Sequence, residues 1–144
     1  MAGNAAPIFT RVGDVSTDGT TGMAQLVTAA APDYTGVDAD YALAFTADAT
    51  NGGFLARLRF KAGGTNVAAV ARIFLNNGSV HTTAANNAFY GEVSLPATTA
   101  ATATATVDVD YEINIAMPAG FRVYWGLGAA VASGWVCTAI GGKY

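Results

Sequence analysis

Charge is what this chain has least of. Only 12% of its 144 residues are Asp, Glu, Lys or Arg, about half of the roughly 25% usual in a soluble domain. The 7 basic and 10 acidic residues leave a net charge of −3. No basic stripe is present for nucleic acid, and no polybasic cluster for an anionic membrane surface. The single cysteine, Cys137, excludes an internal disulfide framework. Placed in a predicted strand, it reads as a small buried hydrophobe. No window approaches the roughly 18 continuous apolar residues of a membrane span. The start, MAGNAAPIFTR, lacks a basic segment followed by an apolar one, so no signal peptide is expected. Synthesis and assembly in a cytoplasm are the expectation. Helical periodicity is almost missing as well.

What is present is small and apolar. Hydrophobic residues make up 52% of the chain. With so few charges, Ala, Thr, Gly and Asn must cover the exterior. Such a surface suits a protein that hides much of itself against other chains. The length fits one domain, residues 1–144, able to bury a core without disulfides.

Short alternating runs between turn clusters predict strands at 7–13, 23–29, 43–47, 54–61, 69–75, 88–95, 121–127 and 135–140, together with the segment around 107–115. In FLARLRFK (54–61), strict alternation puts Phe54, Ala56, Leu58 and Phe60 on one face and Leu55, Arg57, Arg59 and Lys61 on the other. NVAAVARIFL (66–75) is ambiguous between helix and strand. Its alternation and the Asn77-Gly78 turn favour a strand. The Ala/Thr run at 97–106 is either an extended connection or a loosely held edge strand. About eight strands at these spacings predict an all-β fold, a single-domain antiparallel β-sandwich of jelly-roll type.

The stretch ATATVDVDYEINIAM (103–117) raises the functional question. Asp108, Asp110 and Glu112 lie two apart and share one face of a strand, while Val107, Val109, Tyr111, Ile113 and Ile115 share the other. Calcium needs six to eight converging oxygens, whereas these side chains diverge by roughly 7 Å per step. Glycoside hydrolysis needs a partner carboxylate across a cleft, and none is marked. The alternating bases Arg57, Arg59 and Lys61 offer a third reading, in which two files of opposite charge meet within one sheet or between subunits. A solvated or cross-strand-paired face is therefore expected. A subunit contact and a metal or catalytic site are the alternatives.

Other candidates are weaker. His81 lies alone in a polar loop. No G-x-S-x-G, H-E-x-x-H or phosphate-loop pattern occurs. Trp125 and Trp135 fall at core positions. Tyr124 faces opposite to Trp125 and is the expected exposed aromatic, able to contact a partner or stack on a sugar. Arg57, Arg59 and Tyr124 are the candidate interface residues. No catalytic, cofactor-binding or metal-binding residue is assigned.

Four segments carry a resemblance: FLARLRFKAGGTNVAAVARIFLNNG (54–78), TTAANNAFYGEVSLPATTAT (82–102), DYEINIAMPAGFRVYWGLG (110–128) and VASGWVCTAIGGKY (131–144). In this order they resemble the head decoration, or cement, proteins of tailed bacteriophages. They cover over half of the chain, and residues 1–50 match less clearly. The resemblance implies a non-enzymatic virion structural protein on the capsid exterior, bound to the major capsid protein. It implies no cofactor, and a homo-oligomer, a trimer, is expected. A tail, spike or vertex protein and a carbohydrate-binding module are the alternative functions.

Overall fold

The computed structural model describes residues 12–16 and 26–144. Eight strands follow in chain order: β1 (Val12–Ser16), β2 (Ala42–Thr46), β3 (Gly53–Ala62), β4 (Ala69–Asn76), β5 (Asn87–Leu95), β6 (Asp108–Met117), β7 (Arg122–Leu127) and β8 (Trp135–Lys143). One sheet has the order β1-β8-β3-β6 and the other β2-β7-β4-β5. All neighbours are antiparallel. The pairs β4·β5, β3·β6, β2·β7 and β1·β8 nest one inside the next, as if one long hairpin were folded over onto itself. That winding is a jelly roll, and it is the expected fold.

The two inner faces meet in one core. Leu55, Leu58 and Phe60 of β3, Ile73 of β4, Val123, Trp125 and Leu127 of β7, and Trp135 and Cys137 of β8 are all fully buried. The Phe60 and Trp125 rings meet edge to face across the sheets, centroids 5.3 Å apart, an arrangement favoured by the aromatic quadrupole. The segment 66–75 is strand from Ala69 onward. Here the packing of Ala71 and Ile73 onto the core settles what propensity left open.

Several expectations change. The expected strand 7–13 reaches the described residues only at its end, inside β1. Of 23–29, residues 23–25 lie outside them, and Val27 forms a single bridge to Trp135 and no strand. The final strand runs on through Gly141 and Gly142 to Lys143. The Ala/Thr run is an extended connection, pinned where Thr98 pairs with Asn66. Val107 precedes β6 and is exposed, so the inward file starts at Val109.

The largest correction is in β3. A bulge between Leu55 and Arg57 interrupts its register with both neighbours. Ala56 and Arg57 are both only half-buried, and Leu55 rather than Phe54 joins Leu58 and Phe60 in the core. A bulge adds a residue to one strand and so exchanges the faces beyond it. Two neighbours accommodate it. Asn114 on β6 has φ 50°, a left-handed conformation that Asn tolerates better than most residues. On β8, a Cβ at Gly141 would run into the Phe54 carbonyl.

Candidate functional surfaces

The bulge shifts the first residues of β3 but leaves its basic file outward. Beyond it, Arg57 pairs with Glu112, Arg59 with Asp110 and Lys61 with Asp108. The three acids and three bases thus stand side by side in register on the outer face of one sheet. On the β8 side the same rows continue with Ile140, Thr138 and Val136. Each row reads apolar or neutral, then basic, then acidic, ending at the edge strand β6.

The ion pairs formed are fewer than the rows would allow. Asp108 takes both, a close bond from Arg59 and a longer one from Lys61 Nζ at 3.7 Å. Lys61 also donates to the Thr106 carbonyl. Among the described residues no ion pair reaches Asp110, Glu112 or Arg57, and Arg57 Nε is buried without a hydrogen-bond partner. Exposed pairs of this kind contribute about 0.2–1 kcal/mol each. The ladder therefore adds little to the fold and a good deal to the pattern of the surface. No cluster of three or more His, Cys, Asp or Glu placed to hold a metal occurs among the described residues.

Tyr124 faces away from Trp125, as expected, but it is only 8% exposed. The segment after Ala30 lies over this outer face and builds a second apolar cluster of Ala31, Tyr41, Phe74 and Tyr124. The His81 ring sits 4.6 Å from that of Tyr124, so the lone histidine helps to cover it. The cover is stapled by Asn87. Its Nδ2 donates to the carbonyls of Thr35 (3.0 Å), Gly36 (3.1 Å) and His81 (2.6 Å), while its Oδ1 accepts from buried Asn76 (2.8 Å). A local hydrophobic pattern in β7 cannot reveal a cover supplied by residues some ninety positions earlier.

Among the described residues the exposed aromatics are instead Tyr34, Phe89 and Tyr90, and the rings of Tyr34 and Phe89 meet with centroids 5.4 Å apart. Arg72 organises them. Its guanidinium lies 4.0 Å over the Tyr34 ring and donates to the Tyr34 hydroxyl (2.9 Å) and the Pro32 carbonyl (2.7 Å), with Glu92 3.6 Å away. No sequence spacing links Tyr34 to Phe89. Antiparallel pairing of β4 with β5 brings Phe89 beside Phe74, under the loop that carries Tyr34.

A third surface is one end of the sandwich. The β3–β4, β5–β6 and β7–β8 connections meet there with the residues that precede β2. Asn66 ties them together: its Nδ2 donates to the Gly134 carbonyl, and its Oδ1 accepts from the Ser133 N–H. Thr98 Oγ1 donates to the Gly64 carbonyl. The segments 26–32, 62–71, 96–107 and 126–137 contain no charged residue. Leu26, Val67 and Val107 are exposed on them. A shallow depression of about 580 Å³ lies between Lys61–Gly64 and Ala100–Thr106.

No protein-family model, curated protein or solved structure matches the chain.

Proposed function

We propose that this chain is a structural protein of a tailed-bacteriophage virion, a capsid decoration or cement protein. In this reading it binds the assembled shell from outside and bridges neighbouring copies of the major capsid protein as a homo-oligomer, without catalysis or a cofactor. The observation that carries it is the sparsely charged end of the sandwich, where only Lys61, Asp40 and Arg72 border the depressions among the described residues. Four chain segments converge there without a charge and expose Leu26, Val67 and Val107. Apolar surface on loops tied together by hydrogen bonds is suited to burial against another protein.

The resemblance adds support. Its four segments fall on β3–β4, on β5 with the start of the next connection, on β6–β7, and on β8. A cement protein stabilises by mass action, because it binds the assembled state and not the free subunit. Many copies make modest contacts large.

Quantitative mass spectrometry of purified particles tests the reading, as the ratio of this chain to the major capsid protein. A near-stoichiometric ratio supports decoration. A few copies per particle would move the chain to a tail, spike or vertex. Absence from the particle would overturn the virion reading.

One observation favours a second reading, carbohydrate binding. Tyr34 and Phe89 are exposed beside the polar groups of Arg72 and Glu92, a composition that sugar-binding surfaces share. Saturable binding on a glycan array, lost in Tyr34→Ala, would support it. A blank array would remove it.

A further inference from the structure

The charged ladder is self-complementary, and the geometry points to a two-fold pairing of this chain through the outer face of the β1-β8-β3-β6 sheet. Consider an axis parallel to the strands, in front of the face and midway between β3 and β6. Rotation by 180° about it exchanges left and right and leaves height along the strand unchanged. The acidic column of one copy then faces the basic column of the other. Because Arg57–Glu112, Arg59–Asp110 and Lys61–Asp108 are direct cross-strand partners, each acid meets the base of its own row in the second copy. Both halves of the contact match at once, as an isologous interface requires.

Three observations single out this face. The two columns are adjacent, about 4.8 Å apart, so one axis serves both. Among the described residues, no ion pair reaches Asp110, Glu112 or Arg57. The contact therefore supplies opposite charges to groups that lack them. Finally, the ladder holds six of the chain's 17 charged residues, from 7 + 10, on one face of one sheet. A chain with so little charge has concentrated it where it is matched.

The occupant is a second copy. The pairing does not depend on the sparsely charged end, which stays free for a shell, nor on the three-fold assembly expected from the resemblance. A protein that decorates particles yet stays monomeric in solution would overturn the pairing and leave the decoration role standing.

The test is sedimentation equilibrium of the full chain and of two charge-reversed variants. Asp110→Lys with Glu112→Lys makes both columns largely basic, and Arg57→Glu with Arg59→Glu makes both largely acidic. Wild type is expected to dimerise at low salt. Its dissociation constant should rise about tenfold or more as the Debye length falls from about 10 Å at 0.1 M to about 3 Å at 1 M salt. Each variant alone should be monomeric, and an equimolar mixture of the two should dimerise again. Circular dichroism and thermal melts confirm that each variant folds. Should one fail to, Glu112→Lys and Arg57→Glu as single changes give the same mixing test, since neither residue has an ion pair among the described residues. A monomeric wild type at low salt, a dimer unaffected by either reversal, or a mixture that stays monomeric would overturn the pairing.

Discussion

Gly91 on β5 leaves the space that the Tyr111 hydroxyl of β6 occupies. A methyl group at Gly91 would overlap that oxygen, and the next atom of the ring, Cζ, would be 3.3 Å away. Tyr90 completes the contact, its ring 6.5 Å from that of Tyr111 and nearly perpendicular. β5 and β6 are edge strands of different sheets. Tyr111 therefore closes the side of the sandwich that hydrogen bonding leaves open. Burial also raises the pKa of its hydroxyl, with a smaller contribution from Tyr90.

Gly91→Ala should destabilise the fold by about 1–3 kcal/mol, the usual cost of overpacking. Tyr111→Phe removes the overlapping oxygen. Chemical denaturation of the double variant should therefore show a smaller loss than the two single losses added together. Strict additivity would mean that the two residues do not share this space.

Asn87→Ala should release the cover over Tyr124. It removes the donor shared by the Thr35, Gly36 and His81 carbonyls and leaves the buried Asn76 amide without its acceptor. An unsatisfied buried polar group costs about 1–3 kcal/mol. Amide hydrogen exchange should accelerate in 31–41 and 77–87 before it does so in β3 or β8. Uniform acceleration across the chain would contradict a local staple.

Stability should fall in acid partly through Asp33. Burial alone would raise its pKa. Hydrogen bonds from the Thr35 hydroxyl and from the backbone N–H groups of Thr35, Gly36 and Asp38 outweigh this and hold the carboxyl below its usual value. A lowered folded-state pKa gives stability that is present above the unfolded value of about 3.9 and is lost as the pH falls through the folded value. Asp48 has the same sign, held low by the N–H groups of Asn51 and Thr50. Asp33→Asn should lower the Tm at pH 7 and flatten its decline between pH 5 and 2. A decline as steep as that of wild type would remove Asp33 from the account.

Cys137 should be inert in the folded protein. It is fully buried, and burial pushes its thiol pKa well above the ordinary value. A thiol reagent should label it only as fast as the fold opens, and at once in denaturant. Cys137→Ser should cost about 1–3 kcal/mol, since the new hydroxyl is buried among apolar groups. Rapid labelling under native conditions would show that β8 opens locally.

Much of this molecule was legible in its sequence because strand alternation is local. The outward acids of β6, the core positions of Trp125 and Trp135, the buried Cys137 and the all-β class follow from a period of two read against a single core. The opposition of the acidic and basic files could be anticipated as a possibility, since both repeat every second residue. That β6 lies beside β3, in the one register that sets Asp108 against Lys61, depends on the jelly-roll winding. Tertiary structure alone also placed the bulge at Ala56, which sends Leu55 inward and Phe54 out. Alternation counts residues and cannot see an irregularity set by two neighbouring strands. Tyr124 was hidden, and Tyr34 exposed beside Phe89, by a loop distant in sequence from both β5 and β7. The sequence by itself determined which residues could share a face. Only long-range packing decided which faces meet, because burial is a property of what lies opposite and not of the strand that carries the side chain.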